Sequence, residues 1–161
     1  MENYIWRRSN YKLMTGKWKI GILLEAGYRI VPIIEKWIKG EKQVIKVTEQ
    51  IYFSSMLLPY PVSQTMLEEE MEYFCDGLRR VGDMISVLVE RDCFIIIGLR
   101  QICFSVCDIQ NEAFTACAIQ WASEIFQFPM PDIRVYFDDS KLRNGQYVFD
   151  FSNVAKKFPI L

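Results

Sequence analysis

A chain of 161 residues that is 51% hydrophobic and 14% aromatic at a net charge of -1 is neither a disordered polymer nor a strongly basic nucleic-acid carrier. It contains no histidine, which excludes Ser-His-Asp and Cys-His catalysis and every histidine general base in one step. Its length suits a single domain, residues 1–161, burying roughly 68–70% of the unfolded surface without help from disulfides or metal.

Residues 1–46 hold ten Lys/Arg against four Asp/Glu, and residues 47–161 hold nine against sixteen. The small net charge thus conceals a basic first part and an acidic remainder, a division that suits two surface patches or two faces packed together. No uncharged apolar run approaches the ~20 residues of a membrane helix. The first residues lack the apolar segment and small-residue cleavage site of a signal peptide. The expectation is a soluble, cytoplasmic protein that does not engage a membrane. The five cysteines, Cys75, Cys93, Cys103, Cys107 and Cys117, are odd in number, form no Cys-x-x-Cys and sit among apolar neighbours. They read as reduced core thiols, with no metal and no cofactor.

In chain order, Tyr4, Trp6, Tyr11 and Trp18 come first, interleaved with Arg7, Arg8, Lys12, Lys17 and Lys19. Such a pattern can stack bases and grip the phosphates of single strands. It also suits rings anchored in a core with their basic neighbours turned to water. From Ile20 to Lys39 the spacing of Ile20, Leu23, Leu24, Tyr28 and Val31 predicts a helix, with Glu25 and Arg29 paired across one turn, a kink at Pro32 and a stop at Gly40. Residues 44–53 suit either a strand or a short helix. The two prolines of Met56–Pro61 limit it to an apolar loop that packs inward or offers a sticky edge.

Thr65-Met66-Leu67-Glu68 has the form of a capping box. The helix that follows buries Leu67, Met71, Phe74, Cys75 and Leu78. It leaves Glu68, Glu69, Glu70, Glu72 and Asp76 as an acidic start suited to the helix dipole. Residues 84–89 and 93–106 read as two antiparallel strands around Glu90–Asp92, with a third strand or a bulge near Gly98. Phe94, Ile95, Ile96 and Ile97 are consecutive, and four such side chains demand cover on both faces, as a central strand has. Asn111–Phe126 predicts a helix with Phe114, Cys117, Ala118, Trp121 and Ile125 on one face, closed by Pro129 and Pro131. Residues 133–137 and 146–151 read as strands flanking an Asn144-Gly145 turn. Residues 152–161 add a short capping segment or trail away.

The predicted fold is α+β, with helices on one side of a mostly antiparallel sheet built from residues 84–106 and 133–151. The alternative is a largely helical chain ending in a β-hairpin.

No glycine-rich phosphate loop and no Gly-x-Ser-x-Gly turn is present. One short string carries a catalytic possibility. Pro131-Asp132 followed by Asp139-Ser140-Lys141 resembles the Pro-Asp…Asp/Glu-x-Lys signature of metal-dependent nucleases. That resemblance implies Mg²⁺ on Asp132 and Asp139, with Lys141 assisting the attacking water.

With every other catalytic pattern absent, the reading leans away from an enzyme and toward a non-catalytic protein that binds another protein. The residues expected to meet the partner are Glu68, Glu69, Glu70, Glu72, Asp76, Asp138 and Asp139, whose carboxylates can steer and hold a basic surface. In size, solubility and acidic charge the chain is similar to the small cytoplasmic immunity proteins of bacteria. That similarity implies an immunity or antitoxin-type inhibitor masking a basic nuclease toxin. Two other readings stand beside it: a metal-dependent hydrolase using Asp132, Asp139 and Lys141, and a nucleic-acid-binding regulator using the basic aromatic N-terminus. Nucleic acid is the less expected partner, because such domains are usually strongly basic throughout.

Overall fold

The run Phe94–Ile97 puts apolar side chains on alternate faces of an extended chain, and the fold covers both by placing this stretch in the middle of a sheet. A computed structural model describes residues 4–32, 44–55 and 64–156. The expectations for residues 33–40, for the Met56–Pro61 loop and for 157–161 lie outside that set. Strand β5 (Phe94–Phe104) pairs antiparallel with β2 (Ile20–Val31) on one side and parallel with β4 (Ile51–Ser54) on the other. β1 (Ile5–Leu13) and β3 (Val44–Lys46) form the two edges, giving the order β1-β2-β5-β4-β3. Ile95, Ile96 and Ile97 are all fully buried. The architecture is α+β, as expected, and the helical alternative fails.

Three elements differ from the sequence expectation. Residues 20–31 are a strand rather than a helix. Residues four apart share a face in both geometries, so the spacing of Ile20, Leu24 and Tyr28 does not discriminate between them. What decides is that Ile20, Ile22, Leu24 and Ala26 are all fully buried, a two-residue period realised only when β2 lies between β1 and β5. Gly27 fits the same place: a Cβ there would stand 2.7 Å from the Ile5 carbonyl oxygen and the Trp6 ring.

Residues 84–89 are not a strand. Both edges of β5 are already taken, so this stretch finds no ladder and forms a short helix, α2 (Gly82–Ser86), and turns that bury Ile85 and expose Val87 and Leu88. Finally, β6 (Arg134–Asp138) and β7 (Gln146–Asp150) make the expected antiparallel hairpin, but as a separate two-stranded sheet. The bulge foreseen near Gly98 falls two residues later. Glu25 faces Gln101 and Ala26 faces Leu99, leaving Arg100 as the extra residue on β5.

Helices α1 (Glu68–Arg80) and α3 (Asn111–Phe126) pack on the face of the sheet that carries Ile95 and Ile97, and a single-turn helix α4 (Ser152–Lys156) follows β7. The described residues share one hydrophobic core. Residues 113–119 and 121–123 of α3 are all buried, because sheet and α1 cover it from two directions. Small side chains make this possible, and Gly77 marks the tightest contact. A Cβ at Gly77 would sit 2.4 Å from the Thr115 carbonyl oxygen and 2.9 Å from the Ala118 Cβ.

The Gly77→Ala variant therefore tests which effect dominates. Alanine favours a helix by about 1 kcal/mol over glycine, while overpacking a core costs about 1–3 kcal/mol. Because the clash is with backbone, net destabilisation is expected in chemical denaturation. A more stable Gly77→Ala variant would show that the helices can separate without loss.

Candidate functional site

The acidic residues singled out from the sequence do not form one patch. Five sit on α1, but they serve different ends. Glu70 is buried, and its Oε1 accepts the Leu67 amide at 2.7 Å, closing the helix start from the third position. The capping box thus begins at Leu67 and not at Thr65, and Leu67 has no oxygen with which to reciprocate. Glu70, expected among the partner-binding carboxylates, is thus buried and engaged in closing the helix start. Asp76 accepts from Arg80 Nε at 2.9 Å across one turn. Glu68, Glu69 and Glu72 point to solvent, and no ion pair engages them among the described residues. Leu67, 68% exposed, stands beside them.

Asp138 and Asp139 are carried elsewhere, at the end of β6. The Asp138 Oδ1 accepts both the Ser140 amide at 2.9 Å and the Ser140 hydroxyl at 2.6 Å. Those two bonds hold its carboxyl below the usual range. Asp139 meets Lys17 Nζ at 3.2 Å. Both carboxylates are therefore engaged locally in turn-building and loop contact.

The nuclease-like string comes apart in the same region. Asp132 precedes β6 and accepts from Asn153 Nδ2 at 3.1 Å, with Arg134 Nε at 3.7 Å, whereas Asp139 follows β6 and pairs with Lys17. The extended residues 134–138 alone span roughly 13 Å at about 3.3 Å per residue, so the two carboxylates lie beyond opposite ends of β6, each with its own partner. Among the described residues, the ligand atoms of Glu90, Asp92 and Cys93 do lie together, within 4.8 Å of one another on an exposed turn. Gln50 holds that turn by donating to the carbonyls of Glu90 and Cys93, each at 3.0 Å.

The cysteines divide by environment. Cys75 and Cys117 are core thiols, and burial pushes Cys75 up to about 12 and raises Cys117 as well. Burial, then the Asp92 and Glu90 carboxylates, raise Cys93. Cys107, in the loop leaving β5, is exposed, and Cys93 and Cys103 are half-buried, contrary to the expectation that every cysteine is buried. All five are free thiols.

The aromatic residues near the N-terminus are held by the fold. Tyr11 is buried in the core. Trp6 stacks on Tyr4 with centroids 5.2 Å apart, and Arg100 lies 4.7 Å over its ring. Arg100 and Arg8 both reach Glu25, at 2.6 and 3.1 Å. The bulge at Arg100 aims this guanidinium at a nearly buried carboxylate, and no local sequence signal announces it.

Trp18 anchors the other end of the molecule. Its Nε1 donates to the Gly145 carbonyl at 3.2 Å, and its ring meets Tyr147 and Phe137 edge-on at 5.2 and 6.1 Å. The Tyr147 hydroxyl donates to the Trp18 carbonyl at 2.6 Å and accepts the Gly16 amide at 3.0 Å. Gln110, at the start of α3, exchanges two bonds with the Tyr147 backbone at 2.8 and 2.9 Å. These contacts tie three loops together around a cleft of about 550 Å³, lined by residues 17–18, 107–110 and 142–146. No family model, curated protein or solved structure matches this chain. The site must therefore be read from its own chemistry.

The lining of this cleft carries several side chains still able to bond a ligand. Arg143, Asn144 and Gln146 have no side-chain hydrogen bond or ion pair among the described residues. Locally, Asn144-Gly145 signals only a turn, because the convergence of its neighbours depends on loops that are distant in the chain. No helix among the described residues is long and apolar enough to cross a membrane.

Proposed function

We propose that this chain works by binding another protein, with the exposed acidic side of α1 as its contact surface. The observation that carries the reading is the row Glu68, Glu69 and Glu72, exposed and without an ion pair among the described residues, next to the exposed Leu67. Glu68 and Glu72 are like charges one turn apart, an arrangement that costs a helix about 0.2–0.5 kcal/mol. The helix dipole offsets this only within the first turn, so Glu72 gains little from it. A basic partner surface would supply the missing counter-charge, speed the encounter and fix the orientation. Leu67 would provide an apolar contact at the edge of the patch.

The finer form of the proposal is a cytoplasmic immunity or antitoxin-type inhibitor that masks the basic cleft of a nuclease toxin. Asp76, Asp138 and Asp139 belong to the same expected binding set. Their local engagements make them weaker contributors than the three glutamates.

The test compares affinities. The partner is captured on the tagged chain from the source cell, and its binding to the Glu68→Lys, Glu69→Lys, Glu72→Lys triple variant is then measured. Like charges placed across an interface cost several kcal/mol, so affinity should fall by about 100-fold or more. Glu70→Gln should instead lower stability and leave affinity for the folded protein intact. Unchanged affinity in the triple variant would sink the reading.

A further inference from the structure

The cleft between the three loops is a second candidate site, distinct from the acidic side of α1. Its volume of about 550 Å³ falls in the range of roughly 300–1,000 Å³ typical of small-ligand sites. Its walls are fixed by tertiary contacts rather than by the loops alone. Gln110 clamps the Tyr147 backbone, the Tyr147 hydroxyl clamps Gly16 and Trp18, and the Trp18 indole clamps Gly145.

Into this frame the loop 142–146 brings Arg143, Asn144 and Gln146. A guanidinium with no partner among the described residues suits a phosphate or carboxylate, which it can bind through two parallel bonds. Two neighbouring primary amides suit the alternating donors and acceptors on the edge of a flat heterocycle. Trp18 and Leu142 add apolar surface for the face of such a ring. Leu142 is unusual in its own right: it is 77% exposed and holds a left-handed backbone with φ of 54°. A branched hydrophobic residue incurs a cost both for that exposure and for that conformation. Covering a ligand would recover the first of these.

We infer that the cleft binds a small anionic ligand bearing a planar polar ring, of the size and chemistry of a nucleoside monophosphate. Arg143 holds the anionic group, and Asn144 and Gln146 read the ring edge. Lys17 sits at the rim paired with Asp139, and Asp108 also lines the cleft, so Arg143 is the cation left to hold the anion. The site shares no residue with α1, whose glutamates carry the partner-binding reading.

The experiment titrates the full chain with the 5′-monophosphates of adenosine, guanosine, cytidine and uridine, and separately with inorganic phosphate. It follows heat of binding and the assigned indole N–H resonance of Trp18. At least one nucleotide should bind and shift that resonance. Arg143→Gln and Asn144→Ala, both on an exposed loop, should each weaken binding by roughly tenfold, the effect of losing one charge-assisted or buried hydrogen-bonding group. Arg134→Gln removes an exposed cation outside the cleft and should leave binding unchanged. Inorganic phosphate binding as tightly as every nucleotide would overturn the inference by reducing the site to a generic anion contact. So would the absence of binding at millimolar nucleotide, or nucleotide binding indifferent to Arg143→Gln.

Discussion

The Trp121→Ala variant is expected to lose about 3–5 kcal/mol of stability, the range for deleting a large aromatic side chain from a core. Trp121 is fully buried, and three separate features converge on it. Its ring packs edge-on against Phe126 at 5.9 Å. Its Nε1 donates to the Ala26 carbonyl at 3.1 Å, reaching from α3 to the backbone of β2. Cys117, Ala118, Ala122 and Ser123 beside it in α3 are too small to fill the space it would vacate. Removal therefore leaves a cavity and takes away the hydrogen bond to the Ala26 carbonyl.

For a chain of this length the loss corresponds to a drop in Tm of about 6–20 °C. Trp121→Phe separates the two contributions, because it restores most of the volume without the N–H. It should recover more than half of the loss. A Trp121→Ala variant within 1 kcal/mol of the parent would mean that α3 and the sheet collapse onto each other far more readily than this packing implies.

The second large effect is expected at Tyr147, which docks the β6–β7 hairpin. Tyr147 is 1% exposed, although its strand belongs to the small separate sheet. Its ring sits 5.0 Å from Phe137 and 5.2 Å from Trp18, and its hydroxyl bonds the loop between β1 and β2. An isolated two-stranded hairpin is marginal in water, so β6 and β7 depend on this anchor. Tyr147→Ala should cost about 3–5 kcal/mol and should expose the 139–145 loop to proteases. Tyr147→Phe keeps the ring and loses the hydroxyl's bonds to Gly16, Trp18 and Leu13, for about 1–3 kcal/mol. Equal losses in the two variants would assign the docking to the hydroxyl alone.

Those two residues show unevenly in the sequence. Trp121 was legible, since Phe114, Cys117, Ala118, Trp121 and Ile125 recur at helical spacing and prolines close the segment. The helix α1 was legible for the same reason, although its cap lies two residues beyond the predicted one. Tyr147 was readable as part of a strand but not as a core residue, because nothing in 146–150 indicates that Trp18 lies against it.

The acidic residues were easy to find and hard to sort. Counting carboxylates cannot distinguish Glu70, spent on an amide, from Glu69, which faces water. The candidate ligand cleft was not legible at all. It is assembled from residues 17–18, 107–110 and 142–146, and no local pattern links those three stretches.

The sequence by itself determined that this protein has no histidine chemistry, that residues 94–97 need cover on both faces, and that two amphipathic helices and a hairpin exist. These are properties of composition and of short-range periodicity, which act within a few residues. The tertiary structure alone decided that residues 20–31 are a strand, that residues 84–89 are not, and that Arg100 bulges toward Glu25. In each case the local sequence was compatible with two backbone geometries, and the choice fell to whichever allowed a neighbouring strand to bond it. Strand pairing is a contract between distant segments, so neither partner carries the full specification.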